Sequence, residues 1–351
     1  MHRSELFSKA QVVVVHCLGV KEGENVLVVD DQSLTPDTID AFRSAAEAQG
    51  AAVAVLSYRN PRFIPLKEYC LMTRRSVLSA TLEEEAATFP RTLIGAASNS
   101  DAIVMVSSDL EFLYSKTIKG ILSRGVRIIA LSYLAEEGIV RMLPSNREEV
   151  QTLRETTERI TRIFEKSRTA KVTSDAGTNL TVKIGQYPVL PHLGVADRGG
   201  KWQLLPAGQI TNIPDDHSAE GTVVIDRTIA ANDYKEISEP VKFTVRNGDV
   251  VSVEGGVEAE KLRRFLESLN HKNMYHLTEL AVGVNPKCKF SGIGAPAEDT
   301  HVLGCVSLAL GCDVHLGGSH AGPAHIDMTM RYPSITVDGK QLIVEKGRLV
   351  A

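Results

Sequence analysis

The chain has 351 residues, 43% hydrophobic and 23% charged, with a formal net charge of -4 at pH 7. That length suits two domains, each able to bury a core, and the balance is that of an ordinary globular protein. It excludes a basic nucleic-acid surface, and no basic run alternates with aromatics as single-strand binders require. The N-terminal apolar patch around Val12–Val15 is too short for a membrane span and lacks a small-residue cleavage site after it, so a cytoplasmic protein is expected. Five cysteines (Cys17, Cys70, Cys288, Cys305, Cys312) are odd in number, scattered and without a CxxC, which argues against a disulfide framework.

The first 146 residues read as alternating strands and helices. Glu24–Asp31 is a short apolar run suited to a buried parallel strand. Thr35 and Pro36 then supply an N-cap and an N1 proline, Ile39, Phe42 and Ala46 give helical spacing, and Gly50 closes the helix. Strands follow at 51–58, 101–108 and 126–133, with a helical stretch near 114–124. The pattern predicts an α/β N-terminal domain built on a doubly wound parallel sheet. No GxGxxG or P-loop follows any of these strands, so nucleotide binding has no local support.

Residues 147–167 predict one connecting helix, with Val150, Leu153, Ile160, Ile163 and Phe164 as an apolar stripe. From 168 to 351 the texture changes to short alternating strands with glycine turns and one helix at 258–269, which predicts an α+β metal-binding domain. Asn247-Gly248 and Asp338-Gly339 are tight-turn signals.

The chemistry is concentrated in this second half, where six of the ten histidines lie between His271 and His325. His325 and Asp327 are two residues apart in an extended segment and therefore share one face of a sheet, where they can grip one ion. A stable divalent site needs a further ligand. Glu279 is the best candidate, because a glutamate on an apolar strand face is costly to bury without a cation; the plain alternative is a salt bridge to a buried lysine or arginine. His271, His276, His301, His315 and His320 are weaker individual candidates. His320 and His315 flank Gly317-Gly318 and suit a substrate contact or a supporting role to a metal ligand. Between Pro191 and Gly221 lies the only tryptophan, Trp202, in what reads either as a surface loop or as a substrate-pocket wall, with His192 as a proton-transfer group near neutral pH.

In order along the chain come Pro206-Ala207-Gly208, Ser218-Ala219-Glu220-Gly221, the ELxxGxNP run from Glu279 to Pro286, Gly317-Gly318 followed six residues later by HxD, and Val337-Asp338-Gly339-Lys340. This ordered set resembles the aminopeptidase T-like metallopeptidases and their relatives, the 2,5-dihydroxypyridine 5,6-dioxygenases, over most of 170–345. In the peptidases the resemblance implies two metals and five ligands. Glu279, His325 and Asp327 match three of these positions, while Gln209 and Ser307 stand where a glutamate and a histidine belong. A neutral amide and a hydroxyl are poor replacements in a dinuclear site.

The dioxygenase branch is the nearer one, on 194–202 and 254–266. It implies a single ferrous ion on a histidine at the Glu279 position plus the HxD pair, so this chain offers one histidine and two carboxylates. That set suits Fe(II), and also Mn(II) or Zn(II). The resulting expectation is a mononuclear ring-opening dioxygenase for a small hydroxylated N-heteroaromatic, with His192 in proton transfer and Trp202, Ser307 and His320 lining the substrate. The rivals are a metal-dependent hydrolase and a degenerate, non-catalytic binding member. The resemblance also implies a homo-oligomer, and the composition predicts no nucleic-acid or membrane partner.

Overall fold

The structure is a computed structural model that describes residues 3–32, 34–58, 89–106, 113, 115–131, 136–229, 236–290 and 296–351. Cys70, the end of the strand expected at 126–133 and parts of the stretch expected near 101–124 lie outside the described residues. The chain divides into two compact units. One holds the described residues up to Glu155 together with His192–Ala207, and the other holds Thr156–Pro191 and Gly208–Ala351.

The first unit is built on five parallel strands: β1 (Asn25–Asp30), β2 (Ala52–Ser57), β3 (Ala102–Val106), β4 (Arg127–Leu131) and β8 (Trp202–Leu205). Their spatial order is β2-β1-β3-β4-β8, the order of flavodoxin-like doubly wound sheets. Leu27, Val29, Ile103, Met105, Ile128 and Ala130 pack with Leu93 and Ala97 of helix Arg91–Ser98 and with Ile118 and Ile121 of helix Lys116–Leu122. The alternate residues Val26, Val28 and Val104 are buried as well, so the central strands are covered on both faces, as parallel sheets require. Thr35 occupies the N-cap position of the helix Pro36–Glu47, with no capping hydrogen bond from its side chain, and the proline stands at the helix start. One long helix, Arg147–Lys166, buries Ile160 and Phe164 on its apolar stripe.

The second unit contains two antiparallel sheets. The larger runs β13-β12-β10-β6-β5-β17-β18-β19, from β5 (Thr169–Thr173), β6 (Asn179–Lys183), β10 (Glu220–Ile225), β12 (Val241–Arg246), β13 (Asp249–Glu254), β17 (Ser334–Val337), β18 (Gln341–Glu345) and β19 (Arg348–Leu349). Two of its sharp hairpins fall at the expected dipeptides, and a third, Lys346-Gly347, joins β18 to β19. Asn247 and Gly248 have φ of 51° and 86°, and Asp338 and Gly339 have 49° and 63°, the left-handed pair that two-residue hairpins demand.

The smaller sheet runs β11-β16-β15-β14-β9-β7, from β7 (Leu190–His192), β9 (Gln209–Asn212), β11 (Thr228–Ile229), β14 (Leu277–Gly283), β15 (Val306–Gly311) and β16 (His325–Thr329). Every residue of β14 and β15 is buried. The segment 191–221, legible in sequence as a loop or pocket wall, contains two short strands, β8 and β9, and runs from the end of β7 to the start of β10. β8 joins the parallel sheet by pairing Trp202 opposite Ile128, and β9 pairs with β14. Among the described residues, no helix is long and apolar enough to cross a membrane.

Candidate metal centre

Three neighbouring strands of the smaller sheet assemble the site. Glu279 on β14 lies opposite Ala309 on β15, and Ala309 lies opposite Asp327 on β16; His325 is opposite Gly311. His325 and Asp327 therefore project from one face of β16, as their spacing predicts. A bulge between Leu277 and Glu279 sets the pairing of β14 locally, and the residues just before the strand, Lys272–Tyr275, form a 3-10 turn. Ala309 is small, so the space above it is left to the acidic side chains on either side.

The three side chains converge. His325 Nε2 is 3.6 Å from Glu279 Oε2 and 3.3 Å from Asp327 Oδ1. One ligand atom from each of the three lies within 4.8 Å of the others. His325 Nδ1 is 2.7 Å from the carbonyl oxygen of Cys312. Donation from Nδ1–H to that carbonyl orients the ring and leaves Nε2 as the ligand nitrogen, the usual arrangement of a metal-binding histidine. Gln209 Nε2 donates to Glu279 Oε1 at 3.4 Å. The amide at the peptidases' glutamate position thus restrains a carboxylate.

The electrostatics fit a cation. Glu279 is only 4% exposed, and burial raises its pKa. Burial alone would lower the His325 pKa, but Asp327 and Glu279 beside it hold it well above the usual value. Among the described residues no lysine or arginine pairs with Glu279, so the salt-bridge alternative finds no partner here. A buried carboxylate, an oriented imidazole and a second carboxylate form a donor set for a hard or borderline divalent ion. His315 packs its ring edge-on against His325, with centroids 4.8 Å apart, and burial keeps His315 neutral by lowering its pKa well below the ordinary value.

The remaining predicted residues fall in different places. Ser307 is in the same sheet, two residues along β15 from Ala309 and opposite Ala281 and Thr329; its buried hydroxyl has no hydrogen-bond partner among the described residues. His192 ends β7 and is partly buried, and burial pushes its imidazole down to about 4. Trp202 on β8 packs against the apolar core of the first unit, a placement that accounts for its burial without a ligand. His320 is not in the trio. It stacks on His276, with ring centroids 3.7 Å apart, in a second cluster completed by Asp216. Asp216 lies in the 191–221 segment, between Asp215 and His217, yet the sequence does not single it out as a ligand because nothing in the chain shows which distant residues it meets.

Fold and site together define a protein of mixed parallel and antiparallel α/β architecture with a candidate metal centre. The sequence pattern of the NicX family, 2,5-dihydroxypyridine 5,6-dioxygenase, matches residues 6–351, and the chain belongs to that family. A 2,5-dihydroxypyridine 5,6-dioxygenase of Pseudomonas putida KT2440 is 25% identical over 338 residues, which cover 93% of this chain and 91% of the relative. The solved structure of 2,5-dihydroxypyridine dioxygenase from Pseudomonas putida KT2440 superposes with a TM-score of 0.83 at 24% identity, covering 100% of this chain and 98% of that one. Wild-type AmpT from Thermus thermophilus shares the fold at a TM-score of 0.65 and 14% identity, with all of both chains covered. The expected superfamily and its dioxygenase branch are both borne out.

Proposed function

We propose that this chain is a metal-dependent, ring-opening dioxygenase of a small hydroxylated N-heteroaromatic, of the dihydroxypyridine class, with one divalent ion held by Glu279, His325 and Asp327. The observation that carries this reading is the convergence of buried Glu279 with the partly buried His325 and Asp327 in a chain that belongs to the dioxygenase family. Fe(II) is the ion we favour, and Mn(II) or Zn(II) also suit one imidazole with two carboxylates. The ion, when bound, supplies coordination positions for a substrate oxygen and for dioxygen.

The chain's own groups do the rest. The Cys312 carbonyl holds the His325 tautomer, and Gln209 fixes one oxygen of Glu279 so that the other faces His325. Ser307 offers a buried hydroxyl on the neighbouring strand for a polar substrate group. With a pKa of about 4, His192 is neutral at pH 7. Its place in the proposed step is to accept from the ring hydroxyl, and so low a pKa makes it a weak base for that role. The reading extends to a cytoplasmic homo-oligomer, as the family resemblance implies. A two-metal hydrolase is disfavoured by the neutral side chains of Gln209 and Ser307 at the two further ligand positions.

The test is oxygen uptake by anaerobically purified, iron-loaded protein supplied with 2,5-dihydroxypyridine. The expected result is oxygen consumption in step with loss of the aromatic chromophore, abolished in Glu279→Ala and in His325→Ala. Turnover of the same compound under nitrogen, or none with any hydroxypyridine, would overturn it.

A further inference from the structure

The second unit carries another constellation that the proposed reaction does not use. Asp216 lies in the 215–218 turn, His276 leads into β14, and His320 ends the loop that follows β15. One ligand atom from each lies within 4.8 Å of the other two. None of these residues belongs to the Glu279, His325 and Asp327 trio. His276 and Glu279 are three residues apart, about 10 Å along an extended chain.

Each member is held by a partner. His276 Nδ1 is 2.7 Å from Asp249 Oδ1, which leaves Nε2 for another ligand. Asp313 is completely buried. It accepts the backbone N–H of His320 at 2.6 Å and lies 3.1 Å from His320 Nδ1. Asp216 accepts from the Tyr187 hydroxyl at 2.9 Å and from Gln186 Nε2 at 3.1 Å.

Two glycines make room for the arrangement. A Cβ at Gly248 would come within 2.7 Å of His276 Cε1, and one at Gly318 within 2.3 Å of Asp313 Cγ.

The charge balance points to a cation. Asp216, Asp249 and Asp313 surround the two imidazoles, and among the described residues no lysine or arginine pairs with any of the three. Burial lowers the His276 pKa, and the neighbouring His320 lowers it further against the opposing pull of Asp249. A neutral His276 is competent as a ligand but does not neutralise the carboxylates.

We propose that Asp216, His276 and His320 form a second divalent-cation site, suited to a borderline ion such as zinc, with Asp249 and Asp313 orienting its histidines. Two imidazoles and one carboxylate favour such an ion over magnesium or calcium, and histidines braced by carboxylates are the supporting pattern of metal sites. The ion would clip together the 215–218 turn, the entry to β14 and the loop 313–320.

The test is titration of chelator-stripped, full-length protein with Zn(II) against a chromophoric chelator. The wild type is expected to bind two equivalents, with His325→Ala retaining one and the double variant His276→Gln/His320→Gln retaining one. Asp249→Asn removes an orienting carboxylate that is half exposed, so it tests the site without emptying the core. It is expected to weaken the second equivalent by about 10- to 100-fold. A single wild-type equivalent that vanishes in His325→Ala and ignores Asp249→Asn would overturn the proposal. A single equivalent that survives His325→Ala and is lost in the double variant would support this site while defeating the trio, and no binding at all would defeat both.

Discussion

His192 shows how one residue's surroundings change its chemistry. In sequence it is a histidine with an ordinary pKa near neutrality, suited to both giving and taking a proton. Burial in the folded chain brings it to about 4. The unfolded chain takes up a proton at this position near pH 6.5, whereas the folded chain does not until about 4. Folding stability that is full above pH 6.5 is therefore lost as pH falls between these values, and the loss levels off below about 4. The ring's titration, followed by NMR in the intact protein, is expected to have its midpoint near 4. In His192→Gln the fall in denaturation free energy between pH 6.5 and 4 is expected to be shallower. A midpoint at the ordinary value would remove the argument that this group is a weak base at neutral pH.

At the scale of single elements, β15 shows what strand alternation controls. Ala309 lies between Glu279 and Asp327 and shares their face, while its neighbour Leu310 is fully buried opposite Ile326. Adjacent strands are about 4.8 Å apart, so the two acidic strands flank a gap of about 10 Å that only a small central side chain leaves open. Ala309→Leu is expected to weaken metal binding by tenfold or more, with an overpacking cost of about 1–3 kcal/mol. Leu310→Ala is expected to cost about 2–5 kcal/mol of stability and to leave metal affinity near wild type. Metal titration and urea denaturation of the pair separate the two effects, and equal losses of affinity would contradict the facing assigned here. Much of this was legible in the chain. The His325–Asp327 spacing reveals a shared face, and the buried cost of Glu279 marks it as the third member of the cluster. What could not be read was pairing between distant segments: Gln209 reaching Glu279, or Asp216, His276 and His320 meeting from loops far apart in sequence. A lone histidine or aspartate carries no periodic signal of its partner.

For the whole molecule, the same limit explains why 191–221 reads as a loop. The strand Trp202–Leu205 is only four residues long, and its register partner begins at Ile128, so its order comes from a sheet built by the other half of the chain. His192–Ala207 belongs to the first compact unit, although the sequence on both sides of it belongs to the second. A fragment starting at Thr156 would therefore carry β8 with no parallel sheet to join. Leu204 and Leu205, now 8% and 3% exposed, would each forfeit about 1.5–3 kcal/mol of burial, along with the backbone pairing to β4 that a buried strand cannot lose without penalty. Trp202 is the only tryptophan, so its fluorescence reports on this strand alone. In the full chain its emission is expected to be that of a partly buried indole. In the fragment 156–351 it is expected to shift toward that of free tryptophan in water, with a less cooperative unfolding transition. A fragment that kept the full chain's emission and unfolded cooperatively would show that the second unit folds without the first, and that β8 is an accessory to the parallel sheet.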